Sequence, residues 1–370
     1  MKIVVTGAKG FIGKNLIRRF DYMDDVAVCE YDVDTDPAML KEYIKDCDVV
    51  YHLAGVNRPE KSEEYMEGNF GFTKTLLDKM EEAGNKKAVF VMSSSIQATL
   101  DNPYGISKKA GEDFVREHSE RLGMKSVIYR FPNVFGKWCR PNYNSAVATF
   151  CHNIARSMEI KVNDPEVLLH LVYIDDVVDE LLLCLTGDEH VKDGFGYVPE
   201  VYDVKLGRIP ELLYSFAETR RNLSLPDFSD PFEKKLYSTY LSYLPEDDLS
   251  YPLVMHEDSR GSFTEILKTD DRGQVSVNIS HPGIVKGNHW HNTKNEKFLV
   301  VSGQGLIRLR KVGSDKIVEY RVSGDKLTVV DIPCGYTHSI ANVGKDDMAT
   351  VMWVNEVFDP ENGDTFHEEV

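Results

Sequence analysis

The first two hundred residues alternate short apolar runs with stretches of helical period. Apolar runs at 3–6, 26–30, 49–53, 89–93 and 126–130 predict strands, and apolar positions spaced three and four apart within 14–20, 73–82 and 108–121 predict helices between them. This alternation predicts an α/β fold of the Rossmann type, a doubly wound parallel sheet with helices on both faces. Residues 204–244, rich in Leu, Tyr and Phe, predict more helix and lead to a linker at 244–252 that carries Pro245, Pro252 and the acidic run Glu246-Asp247-Asp248. From Leu253 the texture changes. Runs at 262–267, 274–279, 297–301, 305–310, 317–322, 327–332 and 349–354, divided by Gly, Asp and Asn, predict the short strands of an all-β barrel or jelly roll. The expected domains are therefore 1–244 and 245–370.

A chain of 370 residues is too long for one ordinary core, which agrees with that division. The net charge of −17 argues against nucleic acid, whose phosphates need an excess of Lys and Arg, yet leaves room for a small anion held by amides and a few arginines. The six cysteines have no paired spacing, which fits a reducing cytoplasm rather than a disulfide scaffold. The N-terminus reads as a strand rather than a signal peptide, and no apolar stretch approaches the ~20 residues of a membrane span.

The first strand runs into Thr6-Gly7-Ala8-Lys9-Gly10-Phe11-Ile12-Gly13. Gly7 permits a tight turn, Gly10 lets backbone approach a pyrophosphate, and Gly13 lets the helix pack on the strand, while the helix start offers N–H groups to the anion. Glu30 and Asp32 follow at the end of the second strand, where a carboxylate holds ribose hydroxyls. Both would repel a 2′-phosphate and favour NADH, whereas Lys9 could attract one and favour NADPH. Tyr104-Gly-Ile-Ser-Lys108 adds chemistry. Its Tyr and Lys share a helix face, and Pro103 marks the helix start. The ammonium of Lys108 and the positive helix end are expected to lower the pKa of Tyr104, fitting the phenol to exchange a proton with an alkoxide. Ser93-Ser94-Ser95 tips the preceding strand, so Ser94 or Ser95 can hold a carbonyl.

At these residues the chain resembles the extended short-chain dehydrogenase/reductases that act on nucleotide sugars. The likeness runs over about residues 1–240 and takes in His52-Leu53-Ala54-Gly55, Asn69, Arg130-Phe-Pro-Asn-Val-Phe-Gly136 and Val172-Tyr-Ile-Asp-Asp-Val177. It implies a small substrate lobe from C-terminal segments and a nicotinamide cofactor, NADPH before NADH. It implies cofactor contacts from Gly7, Lys9, Gly10, Phe11, Ile12, Gly13, Glu30, Asp32, Leu53, Ala54, Gly55, Tyr104 and Lys108, and catalysis by Tyr104 and Lys108 with Ser94 or Ser95. Only nine residues separate Ser95 from Tyr104, a shorter link than is usual in that family, which implies a more open substrate mouth.

The second half carries metal-type chemistry. His289 and His291 alternate on one strand face, and Glu296 and His338 can complete a set of three imidazoles and a carboxylate. Such donors suit zinc or another divalent first-row metal better than calcium or magnesium. The spacing Gly283-x5-His289-x-His291-x4-Glu296-x6-Gly303, then Pro333-x-Gly335-x2-His338-x3-Asn342, resembles the two motifs of the cupins, with Leu327 where the second motif usually has Gly. Asp258-Ser-Arg260-Gly261-Ser-Phe263 resembles the sugar-nucleotide epimerase branch of that family, which moves protons beside a ketone.

The pairing resembles the fused reductase–cupin enzymes of capsular polysaccharide synthesis. It implies a cytoplasmic homodimer, joined through the cupin domain, that acts on a UDP-linked 2-acetamido-2,6-dideoxy-hexos-4-ulose. The cupin would epimerise carbon 3 and the reductase would convert the 4-ketone to an alcohol, giving UDP-N-acetyl-6-deoxy-talosamine on the route to N-acetyl-fucosamine. Lys286, His281 and Tyr336 are candidates for the proton-abstracting base, and Arg140, Arg220 and Arg221 for a diphosphate clamp. The alternatives are a reductase with the cupin as a structural or dimerisation module, a nucleotide sensor without turnover, and an iron dioxygenase. The sensor reading is weakened by the presence of both Tyr104 and Lys108.

Overall fold

In the computed structural model, which describes residues 1–269, 271–357 and 363–370, the chain divides into two units. One comprises Met1–Tyr214 and Phe228–Pro245, the other Ser215–Asp227 and Glu246–Val370.

The first unit begins β1 (Lys2–Thr6), α1 (Phe11–Phe20), β2 (Ala27–Tyr31), α2 (Pro37–Ile44), β3 (Val49–His52), α3 (Glu63–Tyr65), α4 (Phe72–Glu82), β4 (Val89–Ser95), α5 (Pro103–Leu122) and β5 (Ser126–Phe131). It continues through β6 (Asn133–Phe135), α6 (Ala146–Ile154), β7 (Leu168–Tyr173), α7 (Ile174–Leu183), β8 (Val191–Lys192), β9 (Phe195–Gly196), β10 (Tyr202–Lys205), α8 (Arg208–Asn222), whose residues from Ser215 on belong to the second unit, and α9 (Pro231–Leu241). The main sheet has the order β2-β1-β3-β4-β5-β9-β8 and is parallel except at β8, and a small second sheet has the order β10-β7-β6. Alternate residues of β1 enter different cores. Ile3 and Val5 pack with Leu16, Phe20, Val178 and Leu181, and Val4 packs with Leu40, Val50, Leu77 and Phe90. Burial on both faces explains why these strands read as continuous apolar runs. The helix expected throughout 204–244 is not continuous. Its first residues are the end of β10, and α8 and α9 are parted at Leu223, whose φ of 58° is incompatible with a running helix.

The second unit contains β11 (Met255–Asp258), β12 (Gly261–Thr269), β13 (Gly273–Ser280), β14 (Val285–Trp290), β15 (Glu296–Ser302), β16 (Gln304–Lys311), β17 (Ile317–Ser323), β18 (Val329–Ile332), β19 (Tyr336–Asn342), β20 (Met348–Val354) and β21 (Phe366–His367). They form two antiparallel sheets, β11-β12-β13-β20-β15-β18 and β17-β16-β19-β14-β21. Phe298, Val300, Val330 and Met348 of the first share one core with Ile307, Leu309, Val322 and Ile340 of the second. A bulge at Asn288 (φ 59°) breaks the β14–β19 register, so that Lys286 faces Ile340 while His289 faces His338.

Candidate active sites

A cleft of about 1420 Å³ in the first unit runs from the glycine turn to Ser95, Tyr104 and Lys108. Gly7 turns the chain at φ 69°, and a side chain there would meet the backbone nitrogen of Ala54 at 2.7 Å. A side chain on Gly13 would lie 2.9 Å from the carbonyl oxygen of Ala8, so α1 sits close against the turn. Gly10 is the N-cap of α1, and no side chain occupies its first-turn amides. An uncapped helix start in a cleft suits a pyrophosphate, and Glu30 lines the same cleft as a partner for ribose. Leu53 and Gly55 also line it. Asp32 serves the loop instead, accepting from the amides of Lys9 at 2.7 Å and Val33 at 2.8 Å. The Lys9 ammonium, expected to be free for a 2′-phosphate, is paired with Asp34.

The catalytic end is held by a chain of hydrogen bonds. His52 bridges Thr6 and Thr73 at 2.8 Å on each side, and burial drives its pKa down to about 3, so the ring is neutral. Thr73 donates to the carbonyl of Asn69, which lies in a π-helical turn at Met66–Gly71. The Asn69 amide donates to Ser107 at 2.9 Å, and Ser107 donates to the carbonyl of Tyr104 at 2.7 Å. Asn102 caps α5 by accepting from Gly105 at 2.8 Å, with Pro103 at the first helical position. Tyr104 therefore stands on a braced helix start.

Ser94 and Ser95 are separated by what they bond. Ser94 is buried and donates to Glu112 at 2.6 Å, a carboxylate also held by Arg130. Ser95 lines the cleft beside Tyr104 and accepts from the amide of Gln97 at 3.2 Å. Lys108 is buried, donates to the carbonyl of Ser93 at 3.2 Å and lies 6.0 Å from the centre of the Tyr104 ring. Burial lowers its pKa to about 8 against the opposing pull of Glu112. The expected lowering of the Tyr104 pKa does not occur in this state. Burial raises it, the nearby Ser95 hydroxyl opposes that, and the neighbouring Tyr65 and Tyr143 reinforce it. A phenol kept protonated is suited to giving a proton, the need of a reductase. Arg140 lines the cleft and stacks on Tyr143 at 5.2 Å. Arg220 and Arg221 belong to the second unit, where Arg220 pairs with Asp248 at 3.1 Å and Arg221 with Glu218 at 2.8 Å. Glu112 went unnoticed in the sequence, although it lies four residues past Lys108 on the same helix face.

In the second unit the donor atoms of His289, His291, Glu296 and His338 all lie within 4.8 Å of one another. His338 Nε2 is 3.0 Å and His291 Nε2 is 3.7 Å from Glu296 Oε2. These three atoms are buried without a hydrogen-bond partner, and buried polar atoms are rarely left so. The Nδ1 of His291 faces the carbonyl of Asp364, which can only accept, so Nδ1 carries a proton and Nε2 is the nitrogen left to face Glu296. Three imidazole nitrogens gathered around one carboxylate oxygen are a donor set for a cation, and the residues fit zinc or a similar ion. Burial alone would raise the Glu296 pKa, but His291 and His338 hold it down at about 2. His289 is lowered to about 4 by burial and by the other two imidazoles.

Of the base candidates, His281 is paired at 2.8 Å with Asp347 on the surface. Lys286, by its register, shares a face with His289, and donates to Asn278 at 2.6 Å and the carbonyl of Ile279 at 2.8 Å. Tyr336 lies two residues before His338 on β19 and packs against the core. Asp364 was not foreseen, since nothing local marks it as a neighbour of a histidine seventy-three positions earlier.

A glycine turn, a serine-tipped strand and a Tyr–Lys helix around one cleft agree with the sequence comparison. Residues 3–202 match the NAD dependent epimerase/dehydratase family, and the chain belongs to that family. Residues 256–366 match the polysaccharide biosynthesis C-terminal domain. The chain is 43% identical to the UDP-2-acetamido-2,6-beta-L-arabino-hexul-4-ose reductase of Pseudomonas aeruginosa over 99% of its own length and 98% of that protein. It is 55% identical to the crystal structure of the capsular polysaccharide assembling protein CapF from Staphylococcus aureus, with a TM-score of 0.95 and complete coverage of both chains. A structure of CapF with the inhibitor 3-isopropenyl-tropolone is 50% identical, with a TM-score of 0.90 over both full chains. Among the described residues no helix is long and apolar enough to cross a membrane.

Proposed function

We propose that this chain is a bifunctional enzyme of capsular polysaccharide synthesis acting on a UDP-linked 2-acetamido-2,6-dideoxy-hexos-4-ulose. Its second domain, 245–370, is a cupin barrel that epimerises carbon 3. Its first domain, 1–244, reduces the 4-ketone with NADPH to give UDP-N-acetyl-6-deoxy-talosamine, a precursor of N-acetyl-fucosamine. The working form is a homodimer paired through the cupin domain, which light scattering tests directly.

The observation that carries the reading is the meeting of Ser95, Tyr104 and Lys108 in the cleft that also holds the glycine turn. The full-length likeness to a reductase named for a UDP-hexul-4-ose supports the substrate class. The turn amides and Glu30 would hold the dinucleotide, which when bound supplies a hydride. Ser95 orients the carbonyl oxygen by hydrogen bonding, and Tyr104 holds the proton that this oxygen gains. Lys108 keeps a positive charge beside the phenol, favouring loss of that proton as the alkoxide forms.

His289, His291, Glu296 and His338 would hold the metal in the second domain. A divalent cation there acts as a Lewis acid toward a carbonyl oxygen and makes the adjacent C–H acidic. Tropolones chelate metals, so the tropolone inhibitor of the related CapF supports a metal in that protein's chemistry. Lys286 and Tyr336, on the face that carries His289 and His338, are the remaining candidates to take the proton. Incubation with the UDP-4-keto sugar and NADPH, with the product read by NMR, should show NADPH consumed and a talo-configured 6-deoxy sugar formed. Unconsumed NADPH would refute the reductase. In the alternative reading the cupin is only structural. His291→Ala should abolish solvent deuterium exchange at carbon 3, and unchanged exchange would favour that alternative.

A further inference from the structure

We propose that the C-terminal segment 364–368 is a strap that positions the metal-binding histidines, with Asp364 as its anchor. The proposal rests on the reading of His289, His291, Glu296 and His338 as a metal site. Asp364 acts twice. Its backbone carbonyl accepts a hydrogen bond from the Nδ1–H of His291, holding the ring so that Nε2 points toward Glu296. Its carboxylate accepts from the amides of Asn292 at 2.9 Å, Thr293 at 2.8 Å and Lys294 at 3.0 Å, and from the Thr293 hydroxyl at 3.1 Å. Those bonds hold the turn by which the chain leaves His291, and they keep the Asp364 carboxyl well below its ordinary pKa even though its burial opposes this.

The rest of the strap repeats the theme. His367 and Phe366 pair with His289 and Trp290, and the aromatic rings of Trp290 and Phe366 stack 4.7 Å apart. The amide of Glu368 donates to the carbonyl of Asn288 at 3.0 Å, and its carboxylate accepts from Thr337, next to His338. One short segment thus lies in register beside His289, bonds to His291 and bonds to the residue before His338. Its own residues are half-buried or exposed, so it adds little to the apolar core. What it supplies is orientation. Partners that fix the far nitrogen of a ligating histidine raise metal affinity by ~10–100-fold.

The test uses the full-length chain, wild type, Asp364→Ala and Asp364→Asn, with cobalt(II) alone as the probe. Its dissociation constant comes from competition with a chromophoric chelator, its ligand field from the visible spectrum, and folding is checked by melting the metal-free chain. Asp364→Ala should bind cobalt about 10–100-fold more weakly, with shifted visible bands. Asp364→Asn, which keeps one acceptor oxygen, should lose less. Wild-type affinity and spectrum in a folded Asp364→Ala chain would overturn the strap. If that variant does not fold, wild-type behaviour of Asp364→Asn overturns it. A wild-type chain that binds no cobalt would overturn the metal reading itself, and this proposal with it.

Discussion

The hydroxyl of Ser94 donates to the carboxylate of Glu112 at 2.6 Å, and this bond decides which serine is left for chemistry. Ser94 is buried, whereas Ser95 reaches Tyr104. Ser95→Ala is expected to lower kcat by ~100-fold through loss of a donor to the reacting oxygen, with little change in melting temperature. Ser94→Ala should leave kcat nearly intact but cost about 1–3 kcal/mol of stability, because Glu112 loses a buried partner. NADPH oxidation and thermal melting measure the two effects, and the opposite pattern would return Ser94 to the active role.

Tyr104→Phe separates the two proposed activities. The variant should lose NADPH oxidation by at least ~100-fold, the scale of a lost general acid, while solvent deuterium still enters the keto sugar beside its carbonyl. Loss of both in a folded variant would mean that one site performs both steps.

Lys108 has a stability signature. Its folded pKa of about 8 lies below the ordinary lysine value of 10.5 because of burial. Below pH 8 the ammonium is charged in both the folded and unfolded chain, and the cost of burying it is felt in full. Between pH 8 and 10.5 the folded chain releases its proton first, the unfolded chain holds more protons, and this contribution to stability rises with pH. Lys108→Met should therefore make the cofactor-free chain more stable at pH 7, by a few kcal/mol at ~1.4 kcal/mol per pH unit of displacement, while abolishing reduction. Chemical denaturation at pH 7 and pH 10 checks this. A variant less stable at pH 7 would refute it.

Asp34 bears on the choice of cofactor. It neutralises Lys9, the one cation inside the glycine turn. Asp34→Asn should free that ammonium and lower the KM for NADPH, with the KM for NADH unchanged. Equal changes for both cofactors would show that Lys9 does not reach a 2′-phosphate.

The first domain was largely legible because its strands are apolar without interruption and its turn needs glycine at set places. Tyr104 and Lys108 were legible because helical spacing alone brings them together. Among the expected metal residues, His338 could be matched only by spacing. Its strand, β19, was not read as a strand, and of the partner strand β14 only the stretch at His289 was. In β14 the sequence Val-Lys-Gly-Asn-His-Trp lacks alternation, and the bulge at Asn288 reverses its parity. A period-two reading would set Lys286 and His289 on opposite faces, where the structure gives them one. The sign of the Tyr104 pKa change was also misread, because spacing reveals a neighbouring charge but not the burial that outweighs it. Asp364 is recognisable only after folding.

The link from Ser95 to Tyr104 is little more than the single tight turn Ile96–Thr99, and Gly105 abuts the carbonyls of Gln97 and Leu100 too closely to admit a side chain. The two hydroxyls are thus mounted on one stiff bracket with no hinge between them. A new sugar preference would have to arise by recarving other walls, such as the stretch 138–147 that borders the same cleft, while the bracket stays unchanged.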